Sequence, residues 1–490
     1  MSPPRLEEVF KTNGVPTFTF VEPFEYTKLL VNLRTHGRGL VVEGPSGIGK
    51  TSAVETALRS LNIVDKVTKL SARKKEDVEY LGLVLNNPGA GVVIVDDFHR
   101  LPETMKSDLA DRMKTLADED VVDTKIVIVG INKAGERLVS IAHDLVNRID
   151  IIRFEANPEH KVKELVQKGQ EALNIKINVA GEIISAAQGS FYVAQMLCLE
   201  VCIRERVLEG CPLEKQIEVS FESIKAQVID RLSGIFLERC KRFSRGSKLR
   251  PEGRAPYLHI LNWLATGDEW TLSLPEAIRQ HQALSGSVGQ VVEKEYLDKL
   301  IKGDSGLAEV MHYDGVSKQL SVEDPQFVFF IRNLSWNQFA KDVGYRDVEF
   351  KNRYDFALSF AGQDRFLAAE IFKGLQECDL EVFYDANEQH RIAGEDIEEY
   401  LLPIYQSEAR YILPLLGREY PQRIWAKIES EAFKERFKDG DVIPILFADV
   451  PQGMFDTASK HGGYIYDPSK ALKPQVEEIV QMLRRKLADE

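Results

Sequence analysis

GLVVEGPSGIGKT, residues 39–51, decides the first fold. Its first half, GLVVEG (39–44), is an apolar run that stops on a glycine, and Lys50 to Leu61 reads as a helix. Between them GPSGIGKT (44–51) fits the G-x-x-x-x-G-K-[ST] pattern in its proper setting, after a strand and before a helix. Glycines let backbone N–H groups curl round a phosphate, and the start of the helix adds its dipole. The pattern assigns Gly44, Pro45, Ser46, Gly47, Ile48 and Gly49 to the cradle. Lys50 would reach the β and γ oxygens, and Thr51 would ligate Mg²⁺. ATP or ADP is the ligand such a loop implies.

Two further apolar runs, VVIVDD (92–97) and KIVIVG (125–130), are bounded by turn or charge signals. Continuous runs of this kind fit strands buried on both faces, as in parallel sheets flanked by helices. The first ends in two acids beside the phosphates. Asp96 would hold Mg²⁺ through water, and Asp97 would orient or deprotonate the attacking water. Because the pair ends in Asp rather than Glu, binding of ATP is the firmer expectation and hydrolysis the weaker one. Asn132, past the third strand, stands where a polar sensor of the γ-phosphate is placed in many ATPases. Arg148, in LVNRIDIIRF, is either an arginine finger for a neighbouring subunit or a plain surface arginine.

At 490 residues the chain has room for three or four domains of about 150 residues each. With 44% hydrophobic residues, each can bury a core. A net charge of −13 argues against a protein that coats DNA. Five scattered cysteines without C-x-x-C spacing fit neither a disulfide framework nor a zinc site. The N-terminus, MSPPRLEEVF, has no apolar h-region, and no apolar run reaches about 18 residues, so a cytoplasmic protein without a membrane span is expected.

The expected organisation is an α/β nucleotide-binding domain over 1–155, then a helical lid and connecting helices over 156–238. Residues 214–238 read as a helix pair. Residues 239–254, RCKRFSRGSKLRPEGR, hold Arg239, Lys241, Arg242, Arg245, Lys248, Arg250 and Arg254 and read as an exposed basic linker. Helices followed by a small hairpin fit a winged-helix-like domain over 255–345. From 350 to 490 a second α/β domain follows, with strands in YDFALSFAG, LEVFYD, ARYILPLL, GDVIPILFA and GGYIYD. No repeat of 20–50 residues is present to form a solenoid sensor.

The phosphate loop, Asp96, Asp97, Asn132 and Arg148 resemble those of AAA+ and STAND ATPases over about residues 15–205. That resemblance implies a nucleotide-controlled switch that self-associates. Lids of this kind often place an Arg or His against the nucleotide. GSFYVAQ (189–195) offers Phe191 instead. A winged helix after the lid is also what STAND and origin-recognition ATPases carry.

The last domain resembles a TIR domain, flavodoxin-like in fold. YDFALSFAGQDR (354–365) looks like its first strand and loop, LEVFYD (380–385) its second strand, and RIAGEDIEEYL (391–401) the loop and helix after it. Trp425-Ala-Lys-Ile-Glu429 matches the W-x-x-x-E arrangement of TIR domains that cleave NAD⁺. The resemblance assigns catalysis to Glu429, with Trp425 beside it. Phe360, Ala361 and Gly362 would form the floor for NAD⁺, with Phe383 and Asp385 alongside. Glu431 is two residues on, which turns it about 200° away on a helix. A carboxylate suits the chemistry, because departing nicotinamide leaves an oxocarbenium-like ribose that an anion stabilises.

Together the resemblances imply an ATP-controlled immune effector, active against phage. It would self-associate as a homo-oligomer or filament through its ATPase and TIR domains. The TIR domain would cleave NAD⁺ to nicotinamide and ADP-ribose or a cyclic variant. The trigger stays open between a partner protein, a small ligand and nucleic acid. Two other readings stand beside this one: a non-enzymatic TIR scaffold, and an ATPase that responds to nucleic acid through the basic linker.

Overall fold

The computed structural model describes residues 3–85, 89–130, 134–267, 269–346, 348–350, 354–378, 380–384, 409–420, 436, 440–451, 455 and 463–488. They divide into two compact units. The first runs to Lys248 and resumes over Pro256–Asn333; the second takes Leu249–Ala255 and everything from Leu334.

Five parallel strands form the sheet of the first unit: β1 (Gly39–Glu43), β2 (Val67–Ser71), β3 (Gly91–Asp96), β4 (Thr124–Gly130) and β5 (Ile149–Arg153). Their order is β2-β3-β4-β1-β5. Successive side chains of a strand point to opposite faces, and both faces here are apolar. Val41, Val93, Val95, Ile126 and Ile128 pack with Leu109, Met113 and Leu138 on one side. Leu40, Val42, Ile94, Val127 and Val129 pack with Leu29, Val54, Ala57 and Leu58 on the other. That double burial explains why β1, β3 and β4 read as unbroken apolar runs. The edge strand β2, VTKLS, buries only Leu70, and its mixed sequence hides it.

Helices Glu159–Leu173, Ala180–Ala187 and Phe191–Arg204 follow, as the helical spacing predicts. Between and after them lie two three-residue strands, β6 (Ile175–Ile177) and β7 (Lys215–Ile217), paired in parallel. Residues 214–238 are not a helix pair, and Arg239–Arg245 is not a linker. One 25-residue helix, Phe221–Arg245, runs through both. The reason is its apolar stripe, in which Val228, Leu232, Phe236, Cys240 and Phe243 recur at helical spacing and are all buried. The basic residues between them face acids instead: Arg239 meets Glu309 at 2.9 Å, and Arg242 meets Asp304 at 2.6 Å.

The winged-helix reading matches the elements found. Helix Pro256–Thr266 leads to β8 (Thr271–Ser273), four short α-helices with one 3-10 turn among them, and the hairpin β9 (Met311–Asp314) and β10 (Gln319–Val322). The three strands are antiparallel in the order β8-β10-β9. Asp324 then caps helix Pro325–Arg332, with Pro325 in its first turn. Phe327 and Phe330 of that helix pack on Phe236, at ring separations of 5.4 and 5.9 Å. The boundary of this unit falls at Asn333, so helix Trp336–Val343, expected here, goes with the second unit.

In the second unit all five expected strands form: β11 (Tyr354–Ser359), β12 (Val382–Phe383), β13 (Ala409–Leu416), β14 (Ile445–Phe447) and β15 (Tyr464–Tyr466). They are parallel in the order β12-β11-β13-β14-β15, the flavodoxin-like 2-1-3-4-5 arrangement. Helices Arg365–Gln376 and Leu472–Ala488 cover one face through Leu367, Ile371, Leu375, Ile479 and Leu483.

Gly169 shows how tightly the lid packs. It lies inside helix Glu159–Leu173, and a Cβ there would collide with the fully buried ring of Phe10. Helix propensity favours Ala over Gly by about 1 kcal/mol, but overpacking costs about 1–3 kcal/mol. We therefore expect Gly169→Ala to destabilise the first unit by about 1 kcal/mol in denaturant titration. A stabilised variant would show that Phe10 can move aside.

Candidate functional sites in the two units

The phosphate loop leaves the C-terminal end of β1, the edge where parallel sheets bind ligands. Gly44, Gly47 and Gly49 have φ of 148°, 75° and 99°, so backbone of the left-handed kind is built into the turn. Gly49 is the cap of helix Lys50–Ser60. Lys50 Nζ donates to the carbonyls of Gly44 and Pro45 at 2.7 and 2.5 Å. Burial lowers the Lys50 pKa to about 8, against the pull of Asp96 and Asp97. Burial, then Asp97, raises that of Asp96, and Lys50 and Arg73 oppose the rise.

Lys50, Thr51, Asp96 and Asp97 line one cavity of about 350 Å³. The hydroxyl of Thr51 and the carboxylate of Asp96 are hard oxygen donors of the kind Mg²⁺ takes, so these residues fit that ion. Asp97 sits at φ 57° just past β3, and its carboxylate accepts from Arg73 Nε at 2.8 Å and from Ser71 Oγ at 3.2 Å. Arg148 lies elsewhere. Its carbonyl accepts from the amide of Gly39, at the opposite end of β1, and its guanidinium pairs with Asp118 at 2.5 Å. It is no part of this chain's own cavity. Asn132 lies outside the described residues.

The lid and the winged hairpin both reach this loop. Ser190 Oγ and the amide of Tyr192 donate to the Gly47 carbonyl at 3.4 and 3.1 Å, and a Cβ on Gly49 would lie 3.2 Å from Phe191. The side chain of Asn157 donates to the carbonyls of Ile48 and Gly189. From the hairpin side, a Cβ on Gly47 would lie 2.8 Å from Pro325. Glu323, which sequence reasoning missed, lines the cavity with its side chain only 2% exposed. It binds Arg73 at 3.1 Å, His99 Nε2 at 2.6 Å, and Arg100. Burial alone would raise its pKa, but His99 and Arg100 together hold it at about 2. Its only sequence signal is the Glu-Asp-Pro triplet, which announces a helix start but not a carboxylate turned inward.

In the second unit, Ala361 and Gly362 follow β11 at the C-terminal edge of the sheet. Phe360 is 2% exposed and stacks on Tyr384 at 5.4 Å, which in turn stacks on Phe372 at 4.8 Å. Phe383 is buried as well. Both phenylalanine rings thus belong to the core, Ala361 is buried beside them, and Gly362 is exposed at the edge. Trp425, Glu429, Asp385 and the 391–397 loop lie outside the described residues. Asp364, which sequence reasoning quoted without a role, is held against Gly417; a Cβ on that glycine would lie 2.7 Å from Asp364 Oδ2. Burial, then Asp449 and Glu419, pushes the Asp364 pKa up to about 6.

No family model matches the chain. A segment of 112 residues is 34% identical to the 3' cyclic ADP-D-ribose synthase AaTIR of Aquimarina amphilecti, covering 20% of this chain and 34% of that protein. The chain thus spans about a third of the length of this curated relative. Among solved structures, the Aeropyrum pernix ORC1 protein in complex with DNA is 15% identical, covering 69% of this chain and 98% of its own, at a TM-score of 0.38. The Thermotoga maritima RuvB Holliday junction branch migration motor is 14% identical, covering 68% and 100%, at a TM-score of 0.34. The chain thus joins a unit that carries the phosphate-loop pattern on a parallel sheet to a unit with a flavodoxin-like sheet, and it holds a segment similar to AaTIR.

Two expectations follow from the buried acids. Glu323→Gln leaves Arg100 and Arg73 without their shared carboxylate and should cost the first unit about 3 kcal/mol. Because the Glu323 pKa is depressed, its contribution is whole above its ordinary 4.5 and fades as pH falls toward 2. Denaturation curves of variant and wild type should therefore converge across that window and stay apart at pH 7. Asp364 has the opposite sign. Its pKa is raised, so stability is lost as pH rises from its ordinary 3.8 through 6. Asp364→Asn should stabilise the second unit by about 1–2 kcal/mol at pH 8 and be neutral below pH 4. Equal melting shifts at both pH values would refute the buried-carboxylate account.

Proposed function

We propose that this chain is an ATP-controlled, self-associating immune effector of the STAND kind, acting in the cytoplasm against phage. Its TIR-type unit cleaves NAD⁺ to nicotinamide and ADP-ribose or a cyclic variant. The observation that carries the reading is the 34% identity to a cyclic ADP-D-ribose synthase in a chain that also holds a W-x-x-x-E motif. Glu429 stabilises the oxocarbenium-like ribose and binds its hydroxyls, and Trp425 lies beside it. Ala361, Gly362 and Asp385 edge the site, with Phe360 and Phe383 packed behind them. Nicotinamide leaves as a neutral group, so no general acid is required.

The first unit is the control input. ATP or ADP sits on Gly44–Thr51, and Thr51 and Asp96 hold Mg²⁺, which neutralises phosphate charge. Asp97, fixed by Arg73, positions water if ATP is hydrolysed. Asn132 senses the γ-phosphate. Arg148 reaches a neighbouring copy's nucleotide, a role that its place away from this chain's own cavity supports. Among the described residues, no helix is long and apolar enough to cross a membrane. The ion pairs of Arg239 and Arg242 with Glu309 and Asp304 weaken the nucleic-acid reading, because those charges already have acidic partners.

Full-length protein with ATP or ADP, sized by gel filtration while NAD⁺ is followed, tests the reading. NAD⁺ loss should track the high-mass species. Glu429→Gln should abolish it without changing size. Lys50→Ala should weaken assembly and change the nucleotide dependence of NAD⁺ loss. Unchanged cleavage by the Glu429→Gln protein would end the catalytic assignment. Assembly without any NAD⁺ loss would favour a scaffold.

A further inference from the structure

A second group of side chains converges one turn beyond Asp96. His99 lies on the short turn Phe98–Arg100, His312 on β9, and Glu323 just past β10. The two imidazole rings are 4.9 Å apart at their centroids. One ligand atom from each of the three residues lies within 4.8 Å of the others. Glu323 is buried, with its side chain 2% exposed, and both histidines are partly buried. His99 Nε2 meets Glu323 Oε1 at 2.6 Å, and His99 Nδ1 is buried with no hydrogen-bond partner among the described residues. A purely structural ion pair explains that contact and leaves the second histidine beside it unexplained.

We propose that His99, His312 and Glu323 bind one zinc-class divalent metal ion, separate from the Mg²⁺ position at Thr51 and Asp96. The donor set decides the class. Two imidazoles and one carboxylate suit Zn²⁺ and its first-row neighbours, whereas Mg²⁺ and Ca²⁺ take oxygen. Glu323 is already oriented from behind, since Arg73 and Arg100 hold its Oε2 and leave Oε1 toward the histidines. Of the nearby cations, Arg73 also pairs with Asp97 and Lys106 with Glu103, while Arg100 stays on Glu323 Oε2, the oxygen turned away from His99. Zinc at about 2.1 Å from each ligand atom needs those atoms about 3.4 Å apart. The His99–Glu323 contact must then open by somewhat under about 1 Å, within reach of a side-chain adjustment.

Both histidines also line a cavity of about 770 Å³, into which Asp298 and Asp314 project, giving the ion an entry path and room for a fourth ligand. The three ligands come from two places, the end of the β3 turn and the winged hairpin. A bound ion would therefore tie the hairpin to the nucleotide-binding core.

Tag-free, full-length protein stripped with EDTA and titrated calorimetrically with zinc chloride, in excess Mg²⁺, tests this. One ion per chain is expected. Cobalt in its place should give visible d–d bands without thiolate charge-transfer absorption, since no cysteine is in the set. His312→Ala should weaken zinc binding at least about tenfold, as even outer-shell changes cost that much, and should keep ATP binding. Should that variant fail to fold, His312→Gln and the cobalt spectrum of the wild type carry the test. Absence of stoichiometric zinc, or wild-type zinc affinity in folded His312→Ala and His99→Gln proteins, overturns the site.

Discussion

A buried carboxylate must be met by positive charge or by donors, because an isolated ion out of water is too costly to keep. Glu323 is such a group, and the placement of the winged hairpin follows from it. Its partners all come from the nucleotide-binding core: Arg73 after β2, and His99 and Arg100 after β3. With Glu323 fixed there, the next residues have little freedom. Asp324 caps the helix that begins at Pro325, Pro325 touches the phosphate loop at Gly47, and Phe327 and Phe330 close on Phe236. Loop, hairpin and long helix are thus joined through one carboxylate.

The same geometry produces a candidate site in each unit. In a parallel sheet every strand points the same way, so the chain reversals at the C-terminal edge gather loops from separated segments. In the first unit this edge holds the phosphate loop after β1 and the acids after β3. In the second it holds Ala361 and Gly362 after β11 and Tyr420 after β13, joined by the Ser359–Tyr420 hydroxyl contact at 2.6 Å. The strands supply rigidity, and chemistry is left to the short segments that follow them.

How much of this was legible depended on whether a signal was local. Strands β1, β3, β4, β11 and β13 announce themselves as apolar runs because they are buried on both faces. Edge strand β2 and the three-residue strands β6 and β7 carry too few apolar positions to do so. The long helix was hidden by composition: seven basic residues in 239–254 drew attention from Cys240 and Phe243, which continue its buried stripe. The phosphate loop was readable because its residues are contiguous. Arg73, His99, His312 and Glu323 were not, because they meet only when β2, β3 and the hairpin come together. Phe360 shows the converse, a residue chosen by motif position whose ring the fold commits to the core.

Arg73 is where these arrangements bear on one another. It is shared between Asp97, at the mouth of the nucleotide cavity, and Glu323, at the root of the hairpin. A polyphosphate is a stronger anion than either carboxylate and enters the cavity that all three residues line. To the extent that it draws Arg73 away, Glu323 keeps only Arg100 and His99. A ligand moves an equilibrium only by its differential affinity for the two states. Its leverage on the hairpin is therefore bounded by the Arg73–Glu323 pair, and not by the affinity of the loop for nucleotide. A tenfold preference corresponds to about 1.4 kcal/mol, below the roughly 3–5 kcal/mol that truncating a fully buried charge pair costs. If a nucleotide draws Arg73 from Glu323, this single arginine sets how far the hairpin responds.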